Sequence, residues 1–262
     1  MRDEAIGLEE DRLKNVQAIQ DYGQLHERHR VFPEIFEDRK HRNILDISAG
    51  VGIVGKNISM KYPAEIVCND ISPKCIEIMK GLGLNTVSFD LDDPSAPFPF
   101  PDESFDAVIT LATIEHLVHI DQYLSELKRI ITKDGFLYIS APNYSGLTYL
   151  IPFLWTGKTF HDPMSEDSKY EFYAHIRYFT FRTLEEKISS FGFRLDSVYL
   201  PLPEGSSKYQ RLRKKSGWQA LALRLFLHAI YRLGSPRWAA EPVLCFKKSD
   251  RLLGGKPRKV LL

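Results

Sequence analysis

Between residues 43 and 142, short apolar runs alternate with segments long enough to be helices. The runs read NILDIS, AEIVCND, NTVSFD, FDAVITL and GFLYISAPN, and the first three close on Ser or Asp. Their apolar character is nearly continuous rather than alternating, which predicts strands covered on both faces and therefore a parallel sheet. The segments between them carry helix signals. SPKCIEIMKGLG has Ser72 as N-cap with proline in its first turn. HIDQYLSELKRIITKDG places Ile120, Tyr123, Leu124, Leu127 and Ile131 on one face, with its end expected at Lys133 and Gly135. GIVGKNISMKYP is a third helix-length stretch. The expected fold is α/β and doubly wound, a mostly parallel seven-stranded sheet with its last strand antiparallel and helices on both faces.

The flanks read differently. Leu13, Val16, Ile19, Tyr22 and Leu25 stand at helical spacing, predicting a helix over 8–38, with a second short helix around RVFPEIFEDR. Residues 1–38 thus form an N-terminal helical extension to a Rossmann-like domain over 39–249. Residues 143–177, rich in aromatics, glycine and proline, break the rhythm as an inserted cap. FTFRTLEEKISSFGF then predicts a helix, RLDSVYLP a strand and EPVLCFKK the last strand, with a lid or helical segment over 201–240 and a loose basic tail over 250–262. Formal net charge is +1, so global electrostatics do not argue for nucleic acid. Cys68, Cys75 and Cys245 form no CxxC pair and sit among apolar residues, as expected of buried thiols in a reducing compartment. The opening MRDEAIGLEEDR is too acidic for a signal peptide, and WQALALRLFLHAIYRL is broken by Arg224, His228 and Arg232. A cytoplasmic protein is expected.

The first strand runs into SAGVGIVG, a literal G-x-G-x-x-G at Gly50, Gly52 and Gly55. Taken alone, this pattern suggests a dinucleotide. Yet Asp46, Asp70 and Asp90 fall at or just past three successive strand ends, where open parallel sheets bind their ligands. Three carboxylates around one crevice repel a bisphosphate and suit a cationic nucleoside bearing hydroxyls and amines. S-adenosylmethionine has those groups. Gly55 falls inside the following helix, where it reads as a close-packing residue.

"ILDISAGVG", "CNDIS", "SFDLDDPSAPFPFPDESFDAVITLATIEHL" and "YLSELKRIITKDGFLYISAPN" resemble, in order, the motifs of class I S-adenosylmethionine-dependent methyltransferases. "HIRYFTFRTLEEKISSFGFRLDSV" is similar to the later segment of small-molecule and lipid-quinone O-methyltransferases. The resemblance implies that Asp46 approaches the methionine ammonium and that Gly50 and Gly52 underlie the methionine and ribose. It implies that Asp70 accepts from the ribose hydroxyls beside Ile71, that Asp90 accepts from the adenine amine beside Leu91, and that Leu111 ends the fourth strand on the cofactor side. Ser48 stands where the family most often has a first loop glycine, and KDG replaces its Pro-Gly-Gly turn.

Other residues are candidates on their chemistry. His116 follows the fourth strand, where a neutral imidazole can take a proton from a hydroxyl nucleophile. Tyr173, His175, Arg177 and Tyr178 mix aromatic and cationic groups suited to an acceptor pocket. Glu115, His116 and His119 suggest a metal, but no third and fourth ligand stands at compatible spacing, so none is expected. Asp92 and Asp93 read as a solvated turn. Residues 206–237 hold eight Lys and Arg and no acid, with Trp218, Leu221, Leu225 and Ile230 at helical spacing. That pattern is either a surface helix packed on the sheet or an interfacial helix at anionic lipid. No RNA-binding signature accompanies it. The expected function is methyl transfer to an O, N or C nucleophile of a small-molecule or lipid- or sugar-linked acceptor. The alternatives are a non-catalytic S-adenosylmethionine-binding protein and an NAD(P)-dependent oxidoreductase.

Overall fold

The computed structural model describes residues 2–158, 161–164, 169–249 and 257–262. Helices α1 (Arg2–Leu13) and α2 (Glu27–Arg30) precede a β-α series. That series runs β1 (Asn43–Ile47), α3 (Ile53–Lys61), β2 (Glu65–Asn69), α4 (Pro73–Gly81), β3 (Asn85–Val87), β4 (Phe105–Leu111), α5 (Ile120–Ile130) and β5 (Ile131–Ser140). The cap contributes α6 (Leu147–Thr156) and α7 (Lys169–Ala174), followed by α8 (Phe181–Ser189) and β6 (Phe193–Leu200). Helices α9 (Ser207–Lys215) and α10 (Gly217–Leu233) lead to β7 (Val243–Lys248) and β8 (Arg258–Leu261).

The strands form one sheet in the order β3-β2-β1-β4-β5-β7-β6-β8. The first five pair in parallel, and β7 enters antiparallel between β5 and β6. Successive residues of a strand feed opposite sides, as the period of two requires. Leu45 and Val108 join one apolar cluster, whereas Ile44, Ala107 and Ile109 join the other. Both faces are therefore dry, which is why the strands read as continuous apolar runs. Helix α5 covers the first face with Tyr123, Leu124, Leu127 and Ile130, all fully buried. Each contributes about 1.5–3 kcal/mol of apolar burial. The Ser72 hydroxyl caps α4 by accepting from Cys75 N, as its position predicts.

Four expectations need correction. First, the sheet has eight strands: within the tail expected to be loose, Arg258–Leu261 pairs in parallel with β6. Leu202 N donates to Leu262 O at 2.6 Å, and Val260 and Leu262 pack on the core. Tail residues 250–256 lie outside the described residues. Second, the helix expected over 8–38 ends at Leu13. Asp21 Oδ2 captures the N–H groups of Gln17 and Ala18, each at 3.0 Å, taking them from any helical ladder. Val16 reaches the core from this irregular chain. Third, α5 stops at Ile130 and Gly135 lies within β5, where the register slips from Phe105↔Ile131 to Ala107↔Phe136. A Cβ on Gly135 would stand 2.6 Å from Ile131 Cγ2, so the bulge requires glycine. Fourth, α10 lays only part of its apolar surface on the core: Tyr231 is buried there and Leu227 and Ile230 pack beside it, whereas Trp218, Leu221, Leu225 and Phe226 are exposed. No helix among the described residues is long and apolar enough to cross a membrane. The three cysteines are free and buried.

Candidate active site

The carboxyl ends of β1, β2 and β4 open into one continuous cavity of ≈ 720 Å³. At its cofactor end, β1 turns through left-handed backbone at Ser48 (φ 56°), Gly50 (φ 58°) and Gly52 (φ 79°). That geometry accounts for glycine in this loop, and Ser48 adopts it at the steric cost of its Cβ. Asp70 ties two loops together, accepting from Gly50 N at 2.8 Å and from Ser72 N at 2.9 Å. Burial lifts its pKa to about 6 despite these donors. Asp90 Oδ1 accepts from Asp92 N at 2.9 Å. Ile71, Leu91 and Leu111 supply apolar wall between the acids.

These residues fit S-adenosylmethionine. A carboxylate can accept up to four hydrogen bonds, so Asp70 retains acceptor positions for a ribose diol and Asp90 for an amine. The Gly50 N–H, which a pyrophosphate would need, is already donated to Asp70. Asp46 is buried beneath the loop rather than on the cavity wall, and its Oδ2 has no partner. Burial and then the nearby Asp70 push its pKa up to about 8. Such an orphan acceptor calls for a donor from a water or an ammonium. Gly52 also lies off the wall, where an added Cβ would meet Met79 Cγ at 2.7 Å. At Gly55 a Cβ would stand 2.6 Å from Cys68 Sγ, so this glycine serves helix–sheet contact.

At the other end, Ala112 (φ 52°) turns the chain from β4 into a 3₁₀ turn over Ile114–His116. The Glu115 main-chain O accepts from Ile176 N and Arg177 N, both at 3.0 Å, lacing the cap to this turn. The Glu115 side chain is buried with neither oxygen partnered, and burial lifts its pKa to about 8. His116 Nδ1 donates to Ala174 O at 2.9 Å, which leaves the lone pair on Nε2; burial lowers its pKa. The Tyr144 hydroxyl lies 3.0 Å from His175 Nδ1 and 2.9 Å from His161 Nε2. The rings of His116 and His175 are 4.8 Å apart. Burial first, then the neighbouring His116 and His161, bring the His175 pKa down to about 3.

His116, Tyr173 and His175 thus join Ser48, Gly50, Asp70, Ile71, Asp90, Leu91 and Leu111 around one cavity. Arg177 and Tyr178 do not reach its wall: Arg177 Nη2 donates to Val118 O at 3.0 Å, and Tyr178 stacks beside Tyr144. Asp92, expected in a solvated turn, instead clamps the loop after His116, accepting from Val118 N at 3.0 Å and His119 N at 2.6 Å. The His119 ring is held on the same loop, its Nδ1 2.9 Å from Asp92 O. Several wall residues were not singled out in the sequence: Glu9, Arg12 and Arg28 from the N-terminal segment, Tyr149 and His161 from the cap, and Glu241 before β7. Arg28 pairs with Glu241, whose pKa that cation holds low against burial. No local spacing marks these residues, and only the aromatic richness of 143–177 pointed towards them.

The fold and the acid-rimmed cavity define a Rossmann-like nucleoside-binding protein. The chain belongs to the methyltransferase domain family, whose model matches residues 16–198. It is 33% identical over 107 residues to an ajmaline N-methyltransferase of Rauvolfia serpentina, covering 39% of this chain and 36% of that protein. It is 26% identical over 112 residues to a ubiquinone biosynthesis O-methyltransferase of Pelagibacter ubique, covering 42% and 46%. The matched stretch therefore spans between about a third and a half of each relative. Among solved structures, an S-adenosylmethionine-dependent methyltransferase from Thermotoga maritima aligns with TM-score 0.57 at 16% identity, covering 95% of this chain and 99% of that one. One from Archaeoglobus fulgidus aligns with TM-score 0.55 at 20% identity, covering 84% and 91%. These two share the fold. S-adenosylmethionine is the family's cofactor, and the residues present accommodate it.

Proposed function

We propose that this protein transfers a methyl group from S-adenosylmethionine to a nucleophilic oxygen, or a nitrogen or carbon, of a small-molecule or lipid- or sugar-linked acceptor. The observation that carries this reading is one cavity lined both by the strand-end acids Asp70 and Asp90 and by His116. The sulfonium supplies an already activated methyl group, so the chain's contribution is alignment and exclusion of water, worth up to about 7–11 kcal/mol in favourable cases. Asp70, Asp90 and Asp46 orient the cofactor, and Tyr173 and His175 border the acceptor. His116 Nε2, its ring fixed by the Ala174 carbonyl, takes the proton of a hydroxyl acceptor. Relatives named as N- and O-methyltransferases support the reaction class.

The exposed apolar side chains of α10, beside the exposed Arg211, Arg213, Lys214 and Lys215 of α9, favour peripheral contact of 206–237 with an anionic membrane carrying such an acceptor. Co-sedimentation with phosphatidylglycerol vesicles, absent with phosphatidylcholine alone, checks that contact.

The test of the reaction is single turnover with methyl-labelled S-adenosylmethionine and fractionated small-molecule and lipid extracts. A labelled product is expected, with the His116→Ala rate lower by about 10²–10⁴-fold. Tight S-adenosylhomocysteine binding with no turnover in any fraction favours a non-catalytic binder. NADH binding in its place favours an oxidoreductase. An unchanged His116→Ala rate removes His116 as base.

A further inference from the structure

We propose that Glu115, His116 and His175 form a binding site for one divalent transition-metal ion at the acceptor end of the cavity. Each offers one ligand atom, and these atoms all lie within 4.8 Å of one another. Bonds of about 2.0–2.2 Å in a tetrahedral site set ligand atoms about 3.4 Å apart, so the ion draws the most widely spaced pair together by up to about 1.4 Å through side-chain rotation.

Three features beyond proximity point to a cation. Both Glu115 oxygens are buried without a hydrogen-bond partner, an arrangement that is costly unless a ligand satisfies it. The neighbouring Arg28 gives one guanidinium nitrogen to Glu241, and although its Nε is also buried without a partner, it makes no hydrogen bond to Glu115. Both imidazoles are also held by the outer-sphere contacts that metal-bound histidines use. His116 Nδ1 donates to the Ala174 carbonyl and His175 Nδ1 meets the Tyr144 hydroxyl, contacts that leave the Nε2 of each ring for a ligand bond. Finally, all three residues line the same cavity as the cofactor residues, so an ion there keeps open coordination positions facing an acceptor. Two imidazoles and one carboxylate suit Zn²⁺, Co²⁺, Mn²⁺ or Fe²⁺.

The site draws its third ligand from the far side of the cap, and His119, the candidate nearer in sequence, is held by Asp92. The proposal deepens the proposed function and rests on it only for its chemical use. Held by Glu115, His116 and His175, such an ion would supply Lewis-acid activation: an acceptor hydroxyl bound to it would release its proton to the medium, its oxygen would bond the methyl carbon, and the pair of the broken carbon–sulfur bond would stay on sulfur. With the ion bound, the His116 lone pair is a ligand bond and the ion takes over activation of the hydroxyl; in the metal-free chain His116 is the base, as proposed above.

The test is Co²⁺ titration of the full chain, without acceptor, followed by visible ligand-field absorption and bound-metal analysis. One Co²⁺ per chain is expected, displaced by Zn²⁺. His175→Ala and Glu115→Gln are each expected to weaken binding by about 10–100-fold. Calorimetry with S-adenosylhomocysteine identifies variants that remain folded, since neither side chain belongs to the cofactor end. Wild-type binding no tighter than that of a folded His175→Ala variant overturns the proposal. So does a Co²⁺ spectrum unchanged in both variants. Because no methyl transfer is measured, loss of the metal site leaves the His116 base reading standing, and absence of turnover leaves the metal site standing.

Discussion

The two ends of the cavity are built on different principles. The cofactor end comes from the loops after β1, β2 and β3 and the end of β4, and its acids are set by main-chain contacts within and between these neighbouring loops, Asp70 reaching Gly50 as well. Asp70 reaches Ser72, and Asp90 reaches Asp92. The acceptor end is assembled from distant parts: the turn at Glu115 and His116, the cap at His161 and His175, the N-terminal Arg28, and Glu241. A scaffold that defines its cofactor locally and its acceptor globally can keep the first while the second changes.

Three substitutions probe that division. The largest effect is expected from Asp70→Ala, which removes the carboxylate bridging two loops and facing the ribose position. S-adenosylhomocysteine affinity should fall by about 100-fold, or about 3 kcal/mol, consistent with the loss of two hydrogen bonds to a charged group. Calorimetry measures it, and a change under threefold breaks the assignment of this end. Next is Gly55→Ala, whose new Cβ presses on Cys68 Sγ. Stability should fall by about 1–3 kcal/mol in urea unfolding, while the folded protein binds S-adenosylhomocysteine as before. Weakened binding without destabilisation would return Gly55 to the cofactor site.

The third substitution concerns pH. The folded pKa of Asp46 is raised to about 8 from an ordinary 3.8. Stability is therefore lost as pH rises from the unfolded value towards the folded one, because only the unfolded chain ionises freely in that window. Asp46→Asn removes this penalty. Its melting temperature should exceed that of the wild type at pH 8 and converge with it near pH 4 in thermal unfolding. An equal difference at both pH values would show that folding does not raise the Asp46 pKa.

The same division explains what could be read from the chain alone. Strands β1 to β5 are dry on both faces, so their identity is written in continuous apolar runs, and the strand-end acids follow from position. The irregular segment around Val16–Leu25 resisted reading because spacing of three residues serves tight turns as well as helices. The exposed face of α10 was ambiguous because helical periodicity records a stripe but not what covers it. His175 joins His116 only through folding of the cap, and nothing local in either segment announces the other. Gly135 looked like a helix stop, whereas its lack of a Cβ admits a strand bulge.

Asn143 has a broader consequence. Its Oδ1 accepts from Phe181 N at 2.8 Å, its Nδ2 donates to Ala239 O at 2.6 Å, and Tyr144 N donates to Phe179 O at 2.9 Å. The two roots of the cap thus stand side by side on a common anchor. Since closing a longer loop between fixed ends costs only about 0.6 kcal/mol for each doubling of length, evolution or an engineer can exchange the intervening cassette wholesale. Substrate range can then diversify by insertion and replacement, without renegotiating the sheet beneath.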